Sequence, residues 1–204
     1  MPQQYLDFAG KRFAVCSLLL FAALLFQAIP TRAQEMLFTL DPARTEIHYT
    51  LGAFAHTVHG TFKLKNGAVQ FDPVTGKVSG SIVVDATSGS SGNDGRDSNM
   101  HRNVLESQKY PEIVFTPQQV KGTLNQQGAS QIEVSGVFRL HGQDHPMTMA
   151  VALQLNGPEA TASTQFSIPY QQWGLKNPST FILRVKDTVD LDIRAVAHIA
   201  PVSK

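Results

Sequence analysis

The sequence predicts an all-β domain, either an antiparallel sandwich or a barrel. Two observations carry this. Apolar residues recur with period two rather than 3.6 along most of the chain, as half-buried strands require. The alternating runs are short and are separated by glycine, proline and asparagine clusters, without the regular helical insertions of a parallel sheet. The 204 residues suit one domain or at most two small ones. Apolar residues make up 42% of the chain and the net charge is +1, which excludes a disordered polyelectrolyte and a nucleic-acid binder. One cysteine excludes a disulfide framework.

The chain opens with a leader pattern. Lys11 and Arg12 precede an apolar run from Phe13 to Ile29, and Pro30-Thr31-Arg32-Ala33 follows. This order reads as a cleaved signal peptide over residues 1–33, with cleavage after Ala33. A membrane anchor is the rival reading, because the run is near the ~18-residue minimum for a span. The adjoining small-residue cleavage site favours the leader. Lys-Arg in place of a twin arginine favours the Sec route. Cys16 lies inside the apolar run, not at its end, which argues against lipid attachment there. The expected location is therefore periplasmic or secreted. Removing Lys11, Arg12, Arg32 and Asp7 leaves 14 basic and 15 acidic side chains, a net charge of −1, and no cysteine in the single domain expected over 34–204. A domain of that size buries roughly 70% of its unfolded surface, enough for a core without covalent staples.

Strands follow in order. Ile47, Tyr49 and Leu51 alternate with Glu46, His48 and Thr50, and Val58, Phe62 and Leu64 alternate with His59, Thr61 and Lys63. Asn66-Gly67 predicts a hairpin turn. Asp72 to Gly76 predicts another. Val78, Ile82 and Val84 continue the pattern. Thr87 to Asp97 is a polar loop, and Ser98 to Glu106 reads as a short helix capped by Asp97 or Ser98. Within it, Met100 and Val104 share a face. Ile132, Val134, Phe138 and Leu140 form a further strand. His141 to Asp144 is a turn, and Met147, Met149, Val151, Leu153 and Leu155 form the next strand. Asn125 to Gly128 and Asn156-Gly157-Pro158 are also turns. The last strand runs from Thr188 to Ile199, with Val189, Leu191, Ile193, Ala197 and Ile199 on one face. About nine or ten strands are expected in all. Gln171 to Thr180, containing Trp173-Gly174, is a second irregular stretch. Such stretches often carry function in an all-β chain.

Reactive constellations are sparse. All seven histidines follow the leader. His56 and His59 fall on opposite faces of a strand, whereas His141 and His145 flank a turn and could meet. Neither pair supplies the three or four ligands of a zinc site, so no metal is expected. There is no nucleophile elbow and no phosphate loop. Asp190 and Asp192 share a solvated face. A barrel of about eight strands can hold one small ligand, and Met147 and Met149 would suit an adaptable lining. A solid core would give the same periodicity, so the residues alone leave both interiors open.

The order of motifs narrows this. Phe38-Thr39-Leu40-Asp41-Pro42-Ala43-Arg44-Thr45-Glu46-Ile47, His59-Gly60-Thr61-Phe62, Gly95-Arg96-Asp97 with Met100-His101, Lys109-Tyr110-Pro111-Glu112-Ile113-Val114-Phe115, Val134 to Gly142, Met147-Thr148-Met149, Trp173-Gly174-Leu175-Lys176 and Val189 to Ile193 occur in one sequence. Together they resemble the YceI-like family of lipid- and polyisoprenoid-binding periplasmic proteins. One departure is Ser98-Asn99-Met100-His101-Arg102-Asn103, where many members place a histidine-leucine-arginine-serine run. The resemblance implies a lipocalin-like antiparallel β-barrel with one short helix after a polar loop. It implies an isoprenoid or fatty-acyl ligand, no cofactor and no catalytic residue. Some members are dimers, so a homodimer is an open expectation, as is transient contact with a membrane or membrane protein.

In such a pocket the expected lining residues are His56, Val58, Phe62, Val84, Phe115, Phe138, Met147, Met149 and Trp173. The expected head-group contacts are Arg96, Asp97, His101 and Arg102. Arg96 and Asp97 could instead form a local salt bridge, and Trp173 could simply pack over one barrel end. Two further readings compete. One is a lipid-modifying enzyme, for which His101 with Asp97 is the only pairing to test. The other is an interaction module with a solid core.

Overall fold

The computed structural model describes residues 34–202 except 55, 126 and 180–183, so the expected leader lies outside the described residues. Nine strands form one antiparallel sheet: β1 (Met36–Leu40), β2 (Glu46–Gly52), β3 (Thr57–Phe71), β4 (Val78–Ser90), β5 (Glu112–Lys121), β6 (Gly128–Leu140), β7 (Gln143–Asn156), β8 (Glu159–Ile168) and β9 (Val189–Pro201). Strands β2 to β9 pair in sequence order, and β2 also pairs with β9, which closes an eight-stave barrel. Strand β1 pairs with β3 and β9 beyond the point where β2 leaves them, so β1 and β2 together make one broken stave. Thr45 Oγ1 donates to the Asp41 carbonyl at 2.7 Å and closes the break between them.

Closure removes the free edges that an open sheet would expose. It also sorts the connections. The turns at 72–77, 122–127 and 157–158 lie at one end, the turn end. The turns at 53–56 and 141–142 and the long connections 91–111 and 169–188 lie at the other, the helix end.

The helix begins earlier than the sequence predicts. Helix α1 (Asp94–Asn99) is capped by Asn93, whose side chain accepts from the Arg96 N–H at 2.9 Å, and not by Asp97 or Ser98. It continues as a π-helical turn over Met100–Val104, closed by the Leu105 N–H donating to the Met100 carbonyl at 2.8 Å. Asp97 does not cap because its carboxylate is occupied by Ser91. The expected polar loop is also shorter, since Thr87 to Ser90 belong to β4.

Asn66-Gly67 is not a hairpin. Strand β3 runs through it for 15 residues, and its register against β4 shifts between Leu64 and Asn66. The dipeptide is taken up by a bulge, which bends a long barrel strand instead of reversing it. The true reversal comes at Asp72 to Gly76, where Asp72 Oδ1 accepts from the Val74 N–H at 2.9 Å. The turn at His141-Gly142 forms as expected, with both residues at positive φ (52° and 76°), the conformation of a two-residue hairpin loop.

Two apolar clusters hold the barrel. One contains Ile132, Met149, Val151, Leu153, Leu155, Ala160 and Ala197. The other, at the helix end, contains Phe138, Leu140, Ile168, Tyr170 and Leu175. Among the described residues no large side chain is completely buried. A solid core in a domain this size would contain several. The inward-facing residues line a hollow, and most cluster members belong to its wall.

Candidate functional site

The hollow has a volume of about 660 Å³ and runs along the barrel. Phe38, Phe71, Val78 and Leu124 line it at the turn end, and Ala53, His56, Met100 and Val185 at the helix end. Alternation explains the wall. Inward positions of β2 to β9 carry Ile47, Val58, Ile82, Phe115, Ile132, Val151, Phe166 and Ile193, while the outward positions between them are mostly polar or small, with Val83, Val114, Val137 and Val196 as apolar exceptions.

Few polar groups reach this space, and most are already bonded. Thr164 Oγ1 donates to the Ala150 carbonyl at 2.8 Å, and Thr45 is bonded to Asp41. Tyr49 directs its hydroxyl at Met100 Sδ, 3.7 Å away, and burial raises its pKa. The Tyr170 hydroxyl donates to the Lys186 carbonyl at 2.6 Å, and burial pushes its pKa up to about 12. Both rings therefore present apolar faces to the cavity. Polar groups with capacity to spare gather at the helix end: His56, Asn99 and Arg96. The Arg96 Nε and Nη2 donate to Ser91 Oγ (2.7 Å) and the Ser91 carbonyl (3.0 Å). Its Nη1 has no protein acceptor among the described residues. The cavity is thus an apolar tube with a polar, cationic rim.

The sequence-selected residues divide clearly in placement. His56, Val58, Phe62, Val84, Phe115, Phe138 and Met149 line the cavity, and so does Arg96. Met147 and Trp173 do not. Met147 packs against both apolar clusters. Trp173 stacks on His145, with ring centroids 4.0 Å apart and planes 2° from parallel, and touches Phe138 from outside the cavity. Burial depresses the pKa of the His145 ring that stacks on Trp173.

Asp97, His101 and Arg102 also lie off the cavity wall. Asp97 accepts from the Ser91 N–H at 2.9 Å, from Ser91 Oγ and from Ser90 Oγ at 3.3 Å. It reaches Arg96 through Ser91, so the alternative of a direct salt bridge is replaced by a shared serine. His101 spans Ser107 Oγ (3.1 Å) and the Gly89 carbonyl (2.9 Å), and it does not meet Asp97. Arg102 donates to the Ser98 carbonyl at 3.3 Å on the exposed face of the helix. These three side chains brace the rim.

Burial alone would raise the Asp97 pKa, but donation from Ser91 and Ser90 and the nearby Arg96 outweigh it and hold the carboxyl below its ordinary value. A depressed folded pKa stabilises above the unfolded carboxyl pKa of about 3.9, and that contribution disappears as pH falls through the folded value. Asp97→Asn should therefore cost about 1 kcal/mol near neutral pH. Urea denaturation as a function of pH checks this: the gap from wild type should close as the pH falls through the depressed range of the Asp97 carboxyl. A gap that persists unchanged in acid would show that the carboxylate charge is irrelevant.

His141 and His145 do not converge. His141 Nε2 pairs with Glu106 at 2.6 Å, and its ring packs on Tyr110. No group of three or more metal-ligating side chains occurs among the described residues. Asp190 and Asp192 accept from Ser167 and Gln165 on the neighbouring strand. The sequence reading missed the lining contributed by the two long connections: Asn99, Met100, Val104 and Leu105 from the first, and Tyr170, Leu175, Pro178 and Val185 from the second.

The YceI-like domain model matches residues 38–197, nearly the whole barrel. This chain belongs to the YceI-like family. No curated protein matches the sequence. Solved structures similar to this YceI-like barrel include BcnA from Burkholderia cenocepacia (TM-score 0.64, 18% identity, 78% of this chain and 99% of that one). Another is a polyisoprenoid binding domain from Saccharophagus degradans implicated in plant cell wall breakdown (TM-score 0.61, 16% identity, 80% and 98%). A third is the Campylobacter jejuni YceI protein (TM-score 0.54, 16% identity, 65% and 79%). At these identities the likeness concerns the fold. All three cover most of the YceI-like barrel, including strands that line its cavity.

Proposed function

We propose that this YceI-like protein is a non-catalytic binding protein that holds a polyisoprenoid or similar long-chain amphiphile. In this reading the chain lies along the barrel and the head group lies at the helix end. The observation that carries it is the continuous apolar cavity of about 660 Å³, whose hydroxyls are bonded to the protein. Such a tube removes chain surface from water at about 0.8 kcal/mol per CH₂ without directional chemistry. Chain length would then set affinity more than head-group identity. Arg96, Asn99 and His56 form the rim to which a polar or anionic head would turn. The Saccharophagus domain, described as polyisoprenoid binding, supports the ligand class. His101 and Asp97 are each engaged elsewhere, which supports a carrier or scavenger over a lipid-modifying enzyme. The leader pattern over residues 1–33 supports export, and the proposed compartment is the periplasm.

Mass spectrometry of an organic extract of the purified protein tests the reading. The expected result is a prenyl or acyl species near one per protein, either as purified or after exposure to mixed lipids. An extract that stays empty in both conditions would overturn it.

A further inference from the structure

We propose that the helix end carries a docking surface for an anionic lipid bilayer, centred on Phe54, Arg184 and Lys186. The inference deepens the ligand-binding reading, since it states where the barrel would meet the source of its ligand.

The surface is built from a short two-stranded flap. The Phe54 N–H donates to the Arg184 carbonyl at 2.9 Å, the Lys186 N–H donates to the Gly52 carbonyl at 2.9 Å, and Ala53 bridges Val185 between them. Ala53 and Val185 line the cavity, so they point inward. Their neighbours on paired strands must point outward. Phe54 thus stands opposite Arg184, and the Lys186 stem lies over Gly52, where a Cβ would come within 2.8 Å of it. Phe54 is 88% exposed. One face of the flap is cavity wall, and the other presents an aromatic ring beside two exposed cations.

An exposed phenylalanine alone would mean little. Its setting gives it meaning. Among the described residues the other exposed large apolar side chain, Val74 at 67%, lies at the turn end. Phe54 lies at the end where the polar rim gathers, with exposed Arg96, Arg102 and Lys176 on neighbouring connections. Of the acids at that end, Glu106 is paired with His141 and Asp144 with Arg139, Asp97 is held by Ser90 and Ser91, and Asp190 accepts from Ser167 on β8. Asp94 lies in the first turn of α1, and Asp187 lies beyond the flap, where its charge acts on Tyr170. Neither Arg184 nor Lys186 forms an ion pair among the described residues. An aromatic ring flanked by basic side chains matches the chemistry of an anionic membrane surface. The ring enters the interface, and each cation adds attraction that falls within a Debye length.

Vesicle flotation tests this. Liposomes of phosphatidylglycerol and phosphatidylcholine in roughly equal parts are compared with phosphatidylcholine alone. Binding should require phosphatidylglycerol and weaken with salt. Phe54→Ser should weaken it about fivefold, and Arg184→Glu with Lys186→Glu about thirtyfold or more. Val74→Ser should leave it unchanged. All four substitutions fall on exposed side chains outside the apolar clusters, so folding is preserved. Uptake of a fluorescent prenyl probe in vesicle-free solution is read in parallel and should survive every variant. No binding to either liposome, equal binding to both, or binding untouched by the flap variants overturns docking, and retained probe uptake would leave the cavity reading standing. Binding to native membranes that protease treatment abolishes, without binding to liposomes, also overturns it, in favour of a protein partner.

Discussion

Replacing Ala162 and Ala195 together by tryptophan should nearly abolish uptake of a long-chain probe while leaving the barrel folded. The two alanines are cross-strand partners on β8 and β9, and both line the cavity. Partners so placed have Cβ atoms about 5 Å apart, so two indoles entering there would occupy the bore side by side. If they exclude only four methylenes of ligand, the loss is about 3 kcal/mol, or roughly a hundredfold in affinity. In a solid core the same change would overpack the interior at about 1–3 kcal/mol per site and lower stability markedly. In a hollow barrel the rings enter empty space, and the melting temperature should move by no more than about 5 °C. Fluorescence titration with a prenyl probe, alongside thermal melting by circular dichroism, separates the cases. Ser163→Trp is the control: its side chain is exposed on the outer face of β8, and uptake should be retained. A double variant that binds the probe like wild type would show that the ligand does not use this bore. A double variant that unfolds would show a packed interior.

That experiment also probes how far the sequence could be read. Period-two alternation placed His56, Val58, Phe62, Val84, Phe138 and Met149 on the inner face, because parity along a strand fixes which wall a side chain joins, and Phe115 came from the family motif. Closure was not legible from pattern. It depends on pairing β2 with β9, residues about 145 positions apart, and no local periodicity records such a partner. Hollowness was equally hidden, since an inward phenylalanine looks the same whether it faces a neighbour or a void. Only the resemblance to YceI-like proteins pointed that way.

Parity also fails at strand ends. Met147 has the right parity, yet it packs into the two apolar clusters rather than onto the cavity. The connection over 169–188 has no period at all, so Tyr170, Leu175 and Val185 gave no signal. Trp173 was visible as an isolated aromatic, but its stacking on His145 depends on the β6–β7 turn, far from it in sequence. The side chains chosen for a head group shared a segment but not a role. Arg96 reaches the rim, while Asp97 and His101 are absorbed in holding Ser91, Ser107 and Gly89. Hydrogen-bond demand near a helix start decided this, and it is invisible without knowing that Asn93 already caps the helix.

A large loss of stability from one added methyl group is expected at Gly60, where it would also reach the cavity wall. This residue pairs with Tyr49 across β2 and β3, and the tyrosine ring folds down over it. A Cβ built there would lie 2.4 Å from the Ser90 carbonyl oxygen and 2.4 Å from the Tyr49 ring. The ring could swing into the cavity, but the carbonyl belongs to β4 and can retreat only by parting the β3–β4 ladder. Bare glycine here lets the wall bend sharply while an aromatic from the next strand covers the gap, a device that recurs where barrels turn corners. Gly60→Ala should cost about 3 kcal/mol or more and lower the melting temperature by about 10 °C. The displaced Tyr49 should also narrow the bore and weaken probe binding. Gly95→Ala is the internal comparison, because its nearest neighbour is at 3.5 Å and it sits in α1. That change should be neutral or stabilise by up to about 1 kcal/mol. Parallel thermal melts decide the point. Equal melting of Gly60→Ala and wild type would mean that the β3–β4 wall yields freely, and that the bore is not held open by the tight seating of Tyr49 on glycine.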